Sequence, residues 1–104
     1  MPDYGMRNDG TQKYEGWLGP IKRPDGSVST EISIGVGING KEQDIPLMVP
    51  GLDKKEIDYL IKNDIKSKTF MENMPESIMN KAIEHAVQRL KSGKSPFKNA
   101  EDDQ

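Results

Sequence analysis

The sequence predicts an α+β fold: a three-stranded antiparallel β-meander packed against two α-helices. Three observations predict it. From Val28 to Ile38 the residues alternate, with Val28, Thr30, Ile32, Ile34, Val36 and Ile38 in one set and Ser29, Glu31, Ser33, Gly35 and Gly37 in the other. That is the period of a strand with one buried face. Asn39-Gly40 follows at once, the dipeptide favoured where both central residues of a type I′ turn take positive φ. Beyond Pro50-Gly51 the apolar residues change to spacings of three and four, the period of a helix.

Taken in order, residues 1–13 are polar, glycine-containing and aperiodic, and are expected to form a flexible N-terminal arm. Residues 14–97 are expected to form a single domain. Its first strand, short and irregular, lies within Tyr14 to Lys22, and Pro24-Asp25-Gly26 supplies the turn after it. A two-residue loop at Asn39-Gly40 sets the register of the next two strands. Ile38 faces Lys41, Val36 faces Gln43, Ile34 faces Ile45, Ile32 faces Leu47, and Thr30 faces Val49. The apolar residues of both strands then share one face. Pro46 cannot donate a ladder hydrogen bond, which predicts an edge strand or a bulge there.

Asp53 and Glu56 have the spacing of a capping box. Ile57, Leu60 and Ile61 extend it into a short helix from about Lys54 to Asn63. Residues 64–73 form a connection that carries Phe70 and Met71 as apolar plugs. Pro75 suits a first helical position, and Ile78, Ala82, Ile83, Ala86, Val87 and Leu90 keep helical spacing after it. Gly93 is placed to end that helix in a left-handed cap. Residues 98–104 read as an acidic, disordered tail.

Composition narrows the function. Hydrophobic residues make up 33% of the 104 and charged residues 31%, so the core is thin and a partner could complete the burial. Fifteen basic and 17 acidic residues give a net charge of -2. That balance lacks the clustered cations that duplex binding requires, which makes nucleic acid an unfavoured partner. Cysteine is absent, which removes disulfides and thiolate chemistry. No run approaches a membrane span and no secretory signal is visible, so a soluble chain made in the cytoplasm is expected.

Catalytic groups are sparse. His85 is the one histidine and has no nucleophile or second ligand at a useful spacing, so it reads as a surface or boundary residue. Glu31, Glu42 and Asp44 read as the solvated face of the hairpin, and Asp25, Asp53 and Asp58 lack the spacing of a calcium loop. Gly35-Val36-Gly37 lies between strands, where a phosphate loop does not occur. With Ser33 it reads instead as a smooth strip on which another chain could lie. Trp17 is expected to close the core, and Tyr4 and Tyr14 to be contact residues. Arg89, Lys91, Lys94 and Lys98 read as a solvated helix end. These observations predict a non-enzymatic module with no cofactor and no metal. Its expected contact residues are Tyr4, Arg7, Tyr14, Trp17, Ser33, Gly35, Gly37 and Phe97.

The runs Arg7-Asn8-Asp9-Gly10-Thr11, Gly16-Trp17-Leu18-Gly19-Pro20, Pro24-Asp25-Gly26 and Thr30-Glu31-Ile32-Ser33-Ile34-Gly35 resemble a small domain seen in tailed bacteriophages. So do Ile45-Pro46, Val49-Pro50, and the closing Lys81-Ala82, His85-Ala86, Arg89 and Gly93-Lys94-Ser95-Pro96-Phe97. The likeness covers roughly residues 7–97. It departs from the family pattern at Pro46 to Leu52, where that pattern is threonine-rich, and across Lys62 to Met74. The domain occurs alone or attached to large virion proteins, and carries no catalytic residues over to this chain.

The resemblance implies a virion-associated structural or assembly accessory of the tail, portal or ejection apparatus, binding another phage structural protein. The alternative is a small effector that binds and inhibits a host protein. Pairing along an open strand edge would also make a homo-oligomer.

Overall fold

In the computed structural model, which describes residues 4–7 and 9–103, the chain forms two antiparallel hairpins followed by helices. Met1 to Asp3, Asn8 and Gln104, which belong to the arm, the phage-like run and the tail, lie outside the described residues. Strands β1 (Ile21–Lys22) and β2 (Val28–Ser29) make the first sheet, and β3 (Ser33–Ile38) and β4 (Lys41–Pro46) the second. Three α-helices follow, α1 (Lys54–Lys62), α2 (Phe70–Asn73) and α3 (Glu76–Lys91). A turn of 3₁₀-helix spans Ala100–Asp103.

The second hairpin has the register that the turn dictates. Ile38 pairs with Lys41, Val36 with Gln43 and Ile34 with Ile45, while Asn39 and Gly40 have φ of 52° and 78°. The Leu47 amide donates to the Ile32 carbonyl at 2.7 Å, one step beyond the strands. That bond fixes the alternation of hydrogen-bonded pairs, which include Ile34–Ile45 and exclude Ser33–Pro46. Pro46 therefore stands where β4 needs no amide, and the strand tolerates it without a bulge.

The sheet departs from the predicted meander. The alternation from Val28 to Ile38 is not one strand: β2 ends at Ser29 and β3 begins at Ser33, so the first strand never joins the second sheet. Thr30, Glu31 and Ile32 are all buried, which a strand with one wet face does not allow. Two contacts hold the break. Gly16, at φ 75°, packs so closely on Thr30 that a Cβ there would lie 2.1 Å from the Thr30 carbonyl oxygen. Glu31 turns inward to meet Arg7. Val28, placed by period on the buried face, is 48% exposed on the far side of this break.

Two of the three helices follow their sequence signals; the third, α2, is a short helix within residues 64–73, which read as a connection, so the two predicted helices become three. Asp53 and Glu56 form the reciprocal capping box at α1, each side chain accepting the other's amide at 2.9 Å. Pro75 is the residue before α3 and not its first turn. At its end Gly93 takes φ 71°, with Lys94 N–H donating to the Arg89 carbonyl and Gly93 N–H to the Leu90 carbonyl. Those two bonds make a Schellman cap. In the connection, Phe70 is buried and opens α2, whereas Met71 is 46% exposed. The core joins Ile45, Leu47 and Met48 to Leu60, Phe70, Ile78, Ala82 and Ala86, with α3 across β4.

Candidate interaction site

Four of the expected contact residues, Arg7, Tyr14, Trp17 and Phe97, come together, and they do so inside the chain. Residues 5–7 and 9–13 come together through a Met6–Gln12 bridge and an Arg7 amide bond to the Thr11 carbonyl at 2.7 Å. Arg7 projects from this loop onto Glu31. Its Nε donates to Oε1 at 2.8 Å and its Nη2 to Oε2 at 2.7 Å, and the two side chains are 8% and 3% exposed. Such a two-pronged pair holds direction as well as charge.

The remaining donors and acceptors are also used. Tyr14 N–H donates to Glu31 Oε2 at 3.0 Å, and Arg7 Nη1 donates to Asn99 Oδ1 at 2.9 Å. Arg7 Nη2 reaches the Lys98 carbonyl at 3.1 Å, and the guanidinium lies 4.9 Å from the centre of the Phe97 ring. The hydrogen bond to Glu31, working against burial, raises Arg7 above its ordinary pKa. Glu31, read from the sequence as a solvated face residue, is thus a buried anion, and through Arg7 it is tied to residues 98–99.

A second cluster adjoins the first. The Trp17 indole N–H donates to the Pro96 carbonyl at 3.0 Å, and its ring meets His85 edge-on at 4.9 Å and the Arg89 guanidinium at 4.8 Å. Arg89 also donates to the Ser95 carbonyl at 2.8 Å and to Asp102 Oδ1 at 2.9 Å. Asp102 is held below its ordinary pKa by the Asn99 amide first and, against burial, by Arg89. His85 Nδ1 is buried without a hydrogen-bond partner, and burial and then Arg89 push its pKa down. Arg89 is accordingly part of a packed junction and not of a solvated helix end.

Glu56 makes a third internal junction. Besides its cap bond it accepts from Ser77 at 2.6 Å and from Lys81, tying α1 to α3. Burial alone would raise its carboxyl. The hydrogen bonds from Lys81, Ser77 and the Asp53 amide, with the Lys81 charge, outweigh that and hold it at about 2. The capping spacing revealed Glu56 as a cap, but nothing in the sequence pointed to Ser77 and Lys81 as its partners.

The other expected contact residues lie elsewhere. Tyr4 is half-buried near the described start of the chain. Gly35 and Gly37 are exposed on β3, and Ser33 is half-buried. The strip is not bare at Gly35, where a Cβ would lie 2.9 Å from Glu42 Oε1 and 3.5 Å from Asp44 Oδ1; at Gly37 it would meet nothing within 4 Å. Ser33 also borders a cleft of about 590 Å³ between the Met6–Lys13 loop, Arg23 and the end of α1. Arg23 braces that cleft by donating to Ser29 Oγ at 3.1 Å and to the Asn63 carbonyl at 3.0 Å.

Among the described residues there is no group of three or more His, Cys, Asp or Glu side chains able to hold a metal ion. No helix there is long and apolar enough to cross a membrane. No family model, curated protein or solved structure matches the chain.

Proposed function

We propose that this chain is a non-enzymatic binding module, acting as a virion-associated structural or assembly accessory of a tailed phage. The reading rests on the phage-like runs in the sequence and on one structural observation. The second sheet has two strands, and β3 presents an uncharged outer edge whose backbone groups bond to no other group among the described residues. Such an edge is a ready receiver for another chain's strand. The buried carboxylates Glu31 and Glu56 support the same reading, because internal donors already occupy them.

Mass spectrometry of purified particles is the test. The chain is expected in virions at a fixed ratio to one tail, portal or ejection protein. Its absence from particles, together with capture of a single stoichiometric host protein from lysate, would replace this reading with that of a host-directed inhibitor.

A further inference from the structure

We infer that β3 pairs with β3 of a second copy, antiparallel and centred on Gly35, to give a four-stranded sheet across a two-fold axis. This rests on the same open β3 edge as the proposed function and takes its occupant to be a second copy of this chain; solution dimerisation tests it separately from the presence of the chain in particles.

The inference starts from the pairing order of the hairpin. Ile34, Val36 and Ile38 exchange their backbone bonds with β4, as the Leu47 to Ile32 bond at 2.7 Å requires. The amides and carbonyls of Ser33, Gly35 and Gly37 therefore point away from β4, and no other group among the described residues bonds to them. The outer edge of β4 is guarded by contrast. Glu42 and Asp44 are charged, the Asp44 carbonyl is taken by Gln43 Nε2 at 2.9 Å, and Pro46 has no amide to offer. Charge and proline are the usual means of keeping an edge from pairing. From Ile32 to Gly40 there is neither.

The same strand fits itself. With Gly35 on the axis, Ile34 faces Val36 of the second copy, Ile38 faces Ile32, and Ser33 faces Gly37. Apolar residues meet apolar residues on the core face and small residues meet small ones on the outer face, where the exposed Glu42 of each copy lies over its own Gly35. Each outward-facing pair exchanges two backbone bonds. A strand-to-strand contact this short falls below the roughly 1,200 Å² of a standard interface, so the dimer forms with rising concentration.

Sedimentation equilibrium of the full chain from micromolar to millimolar concentration tests this, with two charge variants. The S33K/G37K chain sets Lys against Lys at both outer pairs and is expected to weaken dimerisation by about tenfold or more. The S33K/G37E chain sets Lys against Glu at the same pairs and is expected to dimerise at least as well as the unaltered chain. Far-UV circular dichroism and urea midpoints establish that both variants fold. Amide exchange on the unaltered chain gives a second reading: Gly35 and Gly37 should exchange quickly when dilute and slowly at millimolar concentration. The inference is overturned by a monomer at every concentration, by S33K/G37K dimerising like the unaltered chain, by S33K/G37E remaining monomeric, or by Gly35 and Gly37 amides that stay fast.

Discussion

The hairpin at Asn39-Gly40 and the junction around Glu31 are stabilised in opposite ways. The hairpin is local. Its turn, its register and its buried face come from residues within a few positions of one another, and the apolar side rests on α3. The junction is long-range. Arg7 reaches 24 positions to Glu31 and 92 to Asn99, and Trp17 reaches 79 to Pro96. A thin apolar core is thus supplemented by buried polar contacts that close the ends of the chain onto its middle. The comparison also separates surface from scaffold, because the junction consumes its polar groups whereas the hairpin leaves a row of them pointing outward.

Breaking the junction at its tightest backbone contact should have the largest effect. Gly16→Ala puts a Cβ 2.1 Å from the Thr30 carbonyl oxygen at a φ of 75°. It is expected to cost more than about 4 kcal/mol in urea unfolding. A loss below about 1 kcal/mol would show that the loop relaxes and does not lock the break between β2 and β3.

Glu56→Ala strips one cap and leaves Ser77 and Lys81 without their acceptor, for an expected loss of about 2 kcal/mol. Glu56→Gln adds a test by pH. The carboxyl is at about 2 in the folded chain against an ordinary 4.5, so its stabilisation is complete above 4.5 and is lost as pH falls toward about 2. The Gln variant should lack that part of the acid-induced loss. An unchanged acid profile would mean that the Lys81 and Ser77 bonds do not persist in solution.

Gly40→Ala sharpens the other side of the comparison. Its φ of 78° suits glycine, and the substitution should cost about 1 kcal/mol while leaving the junction intact by tryptophan fluorescence. His85→Phe should have the smallest effect. The folded chain resists protonating His85, so the unfolded chain binds more protons once pH falls below the ordinary 6.5, and stability declines from there. The Phe variant should remove that decline and match the unaltered chain at higher pH. A decline that persists in the variant would assign it to another group.

The local half of the molecule was legible in the sequence. Asn39-Gly40, the Asp53–Glu56 box and Gly93 each encode their geometry in nearby residues, and the structure has all three; period two held from Ser33 to Ile38. What was not legible is whatever depends on distant partners. Nothing near Glu31 distinguishes a buried anion from one on a wet face, because Arg7 lies 24 residues away. The same holds for Arg89, whose partners Trp17 and Asp102 come from opposite ends of the chain. The predicted meander failed for that reason: alternation continued through Thr30, Glu31 and Ile32, and contacts from outside the window ended the strand.

The most direct measurement is a double-mutant cycle in urea on Arg7→Met and Glu31→Leu. If this pair closes the chain, each single change costs about 3–5 kcal/mol, since it leaves a buried charge alone, and the double change costs clearly less than their sum. Single losses below about 1 kcal/mol that simply add would place Arg7 and Glu31 in water and contradict a fold closed by this pair.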